Sequence, residues 1–344
     1  MRTYFPMLIG NEETVRRLGD AVRGGILPHA HLIVGPSGSG KHTLALGIAA
    51  ALNCENADRE DLPLPCGICN TCRRIREGNF TDLRRLSHAD GRATIGVDEV
   101  RAFREDMFLS ATESAHKIYI IEDFDTATPQ AQNALLKVLE EPPPGVVILL
   151  LAEGCEKILT TIQSRAQLTR MRRLEPEKIE EYLLRESREA GALKAHDPEA
   201  FRAAVLRADG RLGAALADVG GTESEATKKS RAVTDALIRA SLPGTPYLTV
   251  RTAVLALPGK RAELSDALDE VLLALRDLLL VRCRADAAPL FYTDRKTAEE
   301  ISAQMTKKRI LRLFDLFSET ADYNRQNGNI NAIFADLSAK LKTL

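Results

Sequence analysis

Two groups of residues in this chain have types and spacings that could do chemistry. The first is Gly35-Pro-Ser-Gly-Ser-Gly-Lys-His-Thr43, which has the form Gly-x4-Gly-Lys. In such a loop Gly35, Gly38 and Gly40 let backbone N–H groups converge on phosphate oxygens. The N-terminus of the following helix adds partial positive charge and Lys41 adds a full one. The residue after the lysine is usually a Ser or Thr whose hydroxyl ligates Mg²⁺. Here it is His42, and the hydroxyl comes one residue late, at Thr43. Imidazole suits zinc and other borderline metals better than Mg²⁺, which prefers oxygen. Nucleotide binding is compatible with this change, whereas metal-assisted hydrolysis is disfavoured by it.

A second acidic motif belongs with the loop. Ile118-Tyr-Ile-Ile-Glu-Asp-Phe-Asp125 ends an apolar run in acidic residues. An Asp in this place usually holds Mg²⁺ and a following Glu polarises the attacking water. The order here is Glu122-Asp123, so each side chain is wrong for its role by one methylene. A misplacement of about 1 Å can cost on the order of 10²-fold in rate.

The other group is a set of cysteines. Cys54, Cys66, Cys69 and Cys72 have the spacing Cys-x11-Cys-x2-Cys-x2-Cys, with Gly67 allowing a tight turn. Four thiolates suit tetrahedral zinc, and with no open position the site would be structural. An iron–sulfur cluster also takes four cysteines, so spacing leaves the metal open. Cys155 and Cys283 stand alone and read as packing residues.

These residues need elements to hold them. Leu32–Val34 reads as a strand running into the glycine-rich turn, with a helix over Thr43–Leu52. Lys117–Ile121 and Val146–Leu151 read as buried strands, and Gln130–Glu140 as a helix with Ala131, Ala134, Leu135, Val138 and Leu139 on one face. Apolar strands without polar alternation, separated by helices, predict a parallel sheet covered on both faces, an α/β fold. After about residue 168 the β signal nearly disappears. Glu175–Ala190 and Pro198–Val219 read as helices, 220–225 as a linker, and the remainder as helical. Leu264, Leu268, Val271, Leu272, Leu275 and Leu279 recur there at helix spacing.

Composition sets the outer limits. The 344 residues contain 47 Lys+Arg and 48 Asp+Glu, a net charge of −1, which gives no support to a globally basic DNA binder. With 44% hydrophobic residues the chain is not of a disordered type. Six cysteines are too few for a disulfide scaffold. No apolar run approaches the ~20 residues of a membrane span, and the first residues lack the apolar core of a signal peptide. A soluble cytoplasmic protein is the expectation. Local basic clusters remain: Arg73, Arg74 and Arg76 beside the cysteines, and Arg170, Arg172 and Arg173 further on. They could meet DNA backbone or an acidic partner, although such runs are more often solvated faces.

The combination of motifs resembles the clamp-loader subunits of bacterial DNA polymerase III, the gamma/tau and delta-prime family of the AAA+ class. The stretches that carry the resemblance are Ile9-Gly-Asn-Glu-Glu, Leu27-Pro-His-Ala-His-Leu32, the phosphate loop, and the cysteines after Leu52-Asn. Ala131-Gln-Asn-Ala-Leu-Leu-Lys-Val-Leu-Glu-Glu-Pro-Pro143 and Ser164-Arg165-Ala166 complete it, the last resembling a Ser-Arg-Cys motif. Together they cover roughly residues 5–170, and Asn324–Asn331 resembles the family's Asn-rich C-terminal segment.

The resemblance implies an AAA+ α/β domain over 1–168 with a zinc module near 54–72. It also implies a small helical lid over 169–222 and an all-α oligomerisation collar over 223–344. The motor members of the family carry an intact loop, an Asp-Glu pair, a sensor threonine and a sensor arginine. This chain has His42, Glu122-Asp123, Glu153-Gly154 and Gly213 at those places, with Arg211 close to the last.

The departures resemble those of the delta-prime branch, a stator that supports assembly within the polymerase holoenzyme, itself a nucleotidyltransferase. What that branch implies is structural zinc, ATP or ADP in the loop with little or no turnover, and gamma/tau and delta subunits as partners. The sliding clamp and primed DNA would be reached through the complex. Arg165 would act as an arginine finger on a neighbour's ATP site. The alternative is an active, DNA-stimulated ATPase motor of the gamma type.

Overall fold

The computed structural model describes residues 2–87, 94–220, 225–285, 289–292, 295–325 and 328–344. The expected linker at 220–225 and the Asn-rich segment at 324–331 lie partly outside the described residues, at 221–224 and 326–327. The chain divides into two compact units: residues 1–179 with 209–212, and residues 180–208 with 213–344.

In the first unit, strands β1 (Ala30–Val34), β2 (Leu83–Leu86), β3 (Lys117–Ile121), β4 (Val146–Ala152) and β5 (Gln167–Arg170) alternate with helices. These are α1 (Glu12–Arg23), α2 (Lys41–Leu52), α3 (Asn70–Glu77), α4 (Val97–Met107), α5 (Pro129–Glu140) and the single turn α6 (Thr160–Gln163). The strands form one sheet in the order β2-β3-β4-β1-β5, with every pairing parallel. β4 therefore lies between the strand that feeds the phosphate loop and the strand that carries the acidic end. Register sets Leu32 beside Leu150 on one side and Leu168 on the other, and Ile120 beside Leu149.

The sheet is buried on both faces, as its unbroken apolar strands require. Leu32, Val34, Tyr119, Ile121, Ile148 and Leu150 pack on α5 through Ala131, Leu135 and Val138. Ile33, Ile118, Ile120 and Leu149 face α2 through Leu44, Ala45 and Ile48. Thr128 caps α5 by accepting from the Ala131 amide, and Pro129 supplies a first residue whose missing N–H costs the helix nothing.

The loop before β3 is held by Asp82, which is fully buried. Its carboxylate accepts from the amides of Thr112, Glu113 and Ser114 and from the Ser114 hydroxyl, at 2.8–3.0 Å. Burial raises the Asp82 pKa, but these donors outweigh it and hold the carboxyl below its usual range. The stabilisation is thus fully present above the ordinary carboxyl value of about 4 and is lost as pH falls below it. Asp82→Asn removes half the acceptor capacity. It should cost about 1–3 kcal/mol in urea unfolding at neutral pH and flatten the acid limb of the stability curve.

The second unit is helical among its described residues. The chain enters it within α7 (Pro176–Glu186) and continues through α8 (Arg188–His196), α9 (Pro198–Arg207) and α10 (Leu212–Val219). There follow α11 (Glu225–Ala240), α12 (Tyr247–Leu255), α13 (Arg261–Arg282), α14 (Arg295–Ala303), α15 (Lys307–Arg325) and α16 (Ile330–Thr343). Leu264, Leu268, Val271 and Leu275 of α13 form its buried spine, with Leu272 and Leu279 packed alongside.

Two stretches read as single helices are each broken in two. Ser187 caps α8 by accepting from the Ala190 amide, which ends Glu175–Ala190 early. Asp209 and Gly210 both take positive φ, 46° and 78°, which interrupts Pro198–Val219.

Candidate nucleotide and metal sites

Gly38 and Gly40 of the phosphate loop have φ of +75° and +89°, a region open to glycine. The loop is also closely approached from outside. A Cβ at Gly35 would fall 2.7 Å from the Met171 carbonyl oxygen, one at Gly38 would fall 2.4 Å from Cγ of Arg211, and one at Gly40 would fall 2.8 Å from Leu8. Packing against backbone thus requires glycine at Gly35, and backbone angle requires it at Gly38 and Gly40. Met171 and Leu8 carry no motif that would have marked them in the sequence.

Lys41 Nζ donates to the carbonyls of Gly35 at 2.6 Å and Pro36 at 3.1 Å. Burial lowers its pKa, and the carboxylates of Glu153, Asp123 and Asp125 oppose that without cancelling it. The β3 end, the β4 end and the loop therefore converge on one cation. The Glu153 amide donates to Asp125 Oδ1 at 3.3 Å, tying the two strand ends together. Ser39 Oγ is buried and has no hydrogen-bond partner among the described residues. A buried hydroxyl without a partner inside a loop built for oxyanions fits a phosphate ligand.

His42 opens α2 and Glu122 closes β3, and the fold brings them together. His42 Nε2 stands 3.3 Å from Glu122 Oε1, and Arg85 Nε on β2 stands 3.6 Å from the same oxygen. His42, then Arg85, holds the Glu122 carboxyl below its usual range against the effect of burial. No aligned hydrogen bond reaches Oε1 among the described residues, and the full positive charge beside it is that of Arg85. Thr43 follows on the helix. A residue step turns about 100° around the axis, so its hydroxyl faces differently from that of a residue at 42. Asp123, at φ 47°, is exposed on the turn beyond the strand.

The Mg²⁺ that such folds use demands a near-octahedral set of oxygen ligands. An imidazole now stands at the hydroxyl position, against a carboxylate already shared with two nitrogen groups. The residues present do not fit Mg²⁺ there.

The four cysteines do converge. Cys54, Cys66, Cys69 and Cys72 are all buried, with every Sγ within 4.8 Å of the others and Cys66 to Cys72 at 4.0 Å. Tetrahedral thiolate ligands at about 2.3 Å from a metal require sulfur separations of about 3.8 Å. The fit is close, and none of the four is in a disulfide. The amides of Cys69 and Cys72 donate to Cys66 Sγ and Cys69 Sγ, and Asn56 Nδ2 donates to Cys66 Sγ, all at 3.4 Å. Such donors favour thiolate. Burial raises Cys66, yet Asn56 and the neighbouring amides outweigh it and bring its pKa down.

The module is anchored to the N-terminal segment. Tyr4 bridges to Leu64, the Phe5 amide donates to the Leu64 carbonyl, and the Arg2 guanidinium donates to the carbonyls of Leu62 and Ala57. The cysteines share one core with Ala50 and Ala51 of α2, so the module also supports the helix behind the phosphate loop.

Arg165 follows α6 and is exposed. Its Nε donates to Glu140 Oε1 at 2.8 Å, and Nη1 donates to the Thr161 carbonyl at 2.9 Å and to Ser164 Oγ at 3.2 Å. Ala166, in place of the expected cysteine, is buried in the sheet core, where a small side chain is what packing asks for. Glu140 was not marked by spacing, since it lies 25 residues away at the end of α5. Of the basic clusters, Arg74 is paired with Glu113 at 2.6 Å and Arg173 with Asp209, so neither of these two is an open cation.

The loop between strand and helix, the acidic end of β3, and the parallel sheet with one strand between them define a P-loop α/β protein. Residues 10–175 match the family model described as "DNA polymerase III, delta subunit". The chain is 37% identical over 158 residues to the DNA polymerase III subunit delta' of Bacillus subtilis, covering 46% of each protein. It is 32% identical over 215 residues to the subunit tau of Escherichia coli, covering 62% of this chain and 32% of that one. A solved gamma-subunit-related protein of Thermotoga maritima is 18% identical, with a TM-score of 0.40 over 90% of this chain and 99% of that one. The chain thus spans between about a third and a half of the curated relatives named here. Its N-terminal half is thus similar to the DNA polymerase III gamma/tau and delta-prime subunits.

Proposed function

We propose that the chain is the delta-prime-type subunit of a DNA polymerase III clamp loader, a stator that helps load the sliding clamp onto primed DNA. The observation that carries this reading is the contrast between its two sites. Its own loop has His42 against Glu122 where a metal-binding hydroxyl and Asp belong. Arg165 is exposed and held by hydrogen bonds that point to no substrate of its own. A guanidinium presented in this way can stabilise charge on a phosphoryl group held by a neighbouring subunit.

The cysteine cluster holds structural zinc in this reading, since four buried sulfurs at tetrahedral spacing leave no position for substrate. The helical C-terminal part serves as the oligomerisation collar, with gamma/tau and delta subunits as neighbours, and the loop holds ATP or ADP without using it. No helix among the described residues is long and apolar enough to cross a membrane. Cytoplasmic action fits a replication subunit. The test is ATP turnover by the isolated chain with primed DNA present, expected at background.

A further inference from the structure

The misfit of Mg²⁺ at the phosphate loop has a consequence for what the loop binds. In P-loop proteins the cation bridges β- and γ-oxygens and neutralises their charge, and its protein seat is the hydroxyl after the lysine with the acidic strand end. Here that seat is closed. His42 Nε2 lies 3.3 Å from Glu122 Oε1, and Arg85 stands over the same oxygen. Glu122 already shares its charge with these groups. The grouping of Cys54, Cys66, Cys69 and Cys72 is the one set of three or more His, Cys or carboxylate groups positioned for metal among the described residues. His42 and Glu122 thus lack the third protein ligand that would make them a centre for another divalent ion.

The phosphate-binding elements themselves are intact. Gly38 and Gly40 keep the backbone open to the left-handed region. Lys41 Nζ, now on two loop carbonyls, is within the loop it would leave to meet a phosphate. Ser39 is only 3% exposed, and its Oγ has no hydrogen-bond partner among the described residues. Oxyanion recognition by N–H groups, a helix N-terminus and a lysine does not require a cation.

We propose that this loop takes a nucleoside di- or triphosphate free of Mg²⁺, with the His42–Glu122 contact occupying the cation's place. The proposal rests on the reading that the loop holds nucleotide without turnover, and it is independent of Arg165. A metal-free nucleotide is a poor substrate for phosphoryl transfer, because nothing neutralises the charge on the departing oxygens. The contact would then make the site a nucleotide holder by construction.

The test is calorimetric titration of the full chain with ATP and with ADP, in Mg²⁺-free buffer without chelator and then with Mg²⁺ or Mn²⁺ added. Omitting chelator leaves the cysteine cluster undisturbed. The expected dissociation constant in Mg²⁺-free buffer is equal to or below that with either cation. His42→Ser restores the hydroxyl after the lysine and should make Mg²⁺ tighten binding by about tenfold. Tightening of the unaltered chain by about tenfold or more with Mg²⁺ or Mn²⁺ would overturn the proposal, as would absence of binding in all conditions. If His42→Ser does not fold, the unaltered chain decides alone. None of these outcomes bears on the stator role, which is read from ATP turnover by the isolated chain.

Discussion

Arg165→Ala, placed in a complex reconstituted with gamma and delta subunits, should slow ATP hydrolysis at the neighbouring site by on the order of 10³-fold in a single-turnover measurement. Assembly, followed by gel filtration, should be unchanged, because the side chain is exposed and packs into no core. The pair it makes with Glu140, at 2.6 Å, is a surface ion pair of the kind worth about 0–1 kcal/mol. That is enough to aim a guanidinium and too little to hold it back from a phosphate. The Thr161 carbonyl and Ser164 hydroxyl fix the rest of the fork. Arg165→Lys keeps the charge but has no planar fork, so it should recover only part of the rate. Unchanged hydrolysis in Arg165→Ala would refute the trans role while leaving the fold and the metal site untouched.

The second large effect is expected at the cysteines. Cys72→Ser should abolish one equivalent of bound metal per chain and lower stability by at least about 3 kcal/mol, since metal binding in such modules is folding free energy. For a domain of this size that corresponds to about 10 °C in the melting temperature. The loss should spread beyond the knuckle. Cys54 lies two residues beyond the end of α2, and Leu64 of the cysteine loop is tied to Thr3 and Phe5 by backbone hydrogen bonds. Without metal, three remaining buried thiols face one another with nothing to neutralise a thiolate. Metal analysis and thermal melts check the claim together. A variant that binds no metal yet melts with the unaltered chain would show that the cluster does not support the fold.

The sequence showed the central sheet because its inner strands are almost wholly apolar, with His31 and Lys117 the exceptions. Lys117–Ile121 matches β3 end for end, and Val146–Leu151 is one residue short of β4. The edge strands were hidden for the opposite reason. β2 is Leu-Arg-Arg-Leu, with Arg84 and Arg85 exposed, and β5 begins where the apolar signal fades. Edge strands carry charge to discourage further pairing, which erases the pattern that identifies them.

The breaks at Ser187 and at Asp209-Gly210 were lost in otherwise helical composition. The loop and the cysteines were legible because their chemistry fixes spacing within a short segment. Partners supplied from afar were not, because no local period connects Glu140 to Arg165, Arg85 to Glu122, or Asp82 to the amides of Thr112–Ser114.

Turnover by the isolated chain bears most directly on the claim that it is a stator. Steady-state ATP hydrolysis should be measured with primed DNA and Mg²⁺ present, for the unaltered chain and for Lys41→Ala. The two should be indistinguishable from each other and from background, because His42 and Glu122 leave no seat for the metal that hydrolysis needs. Steady turnover by the unaltered chain that disappears in Lys41→Ala would contradict the account and make the chain a motor.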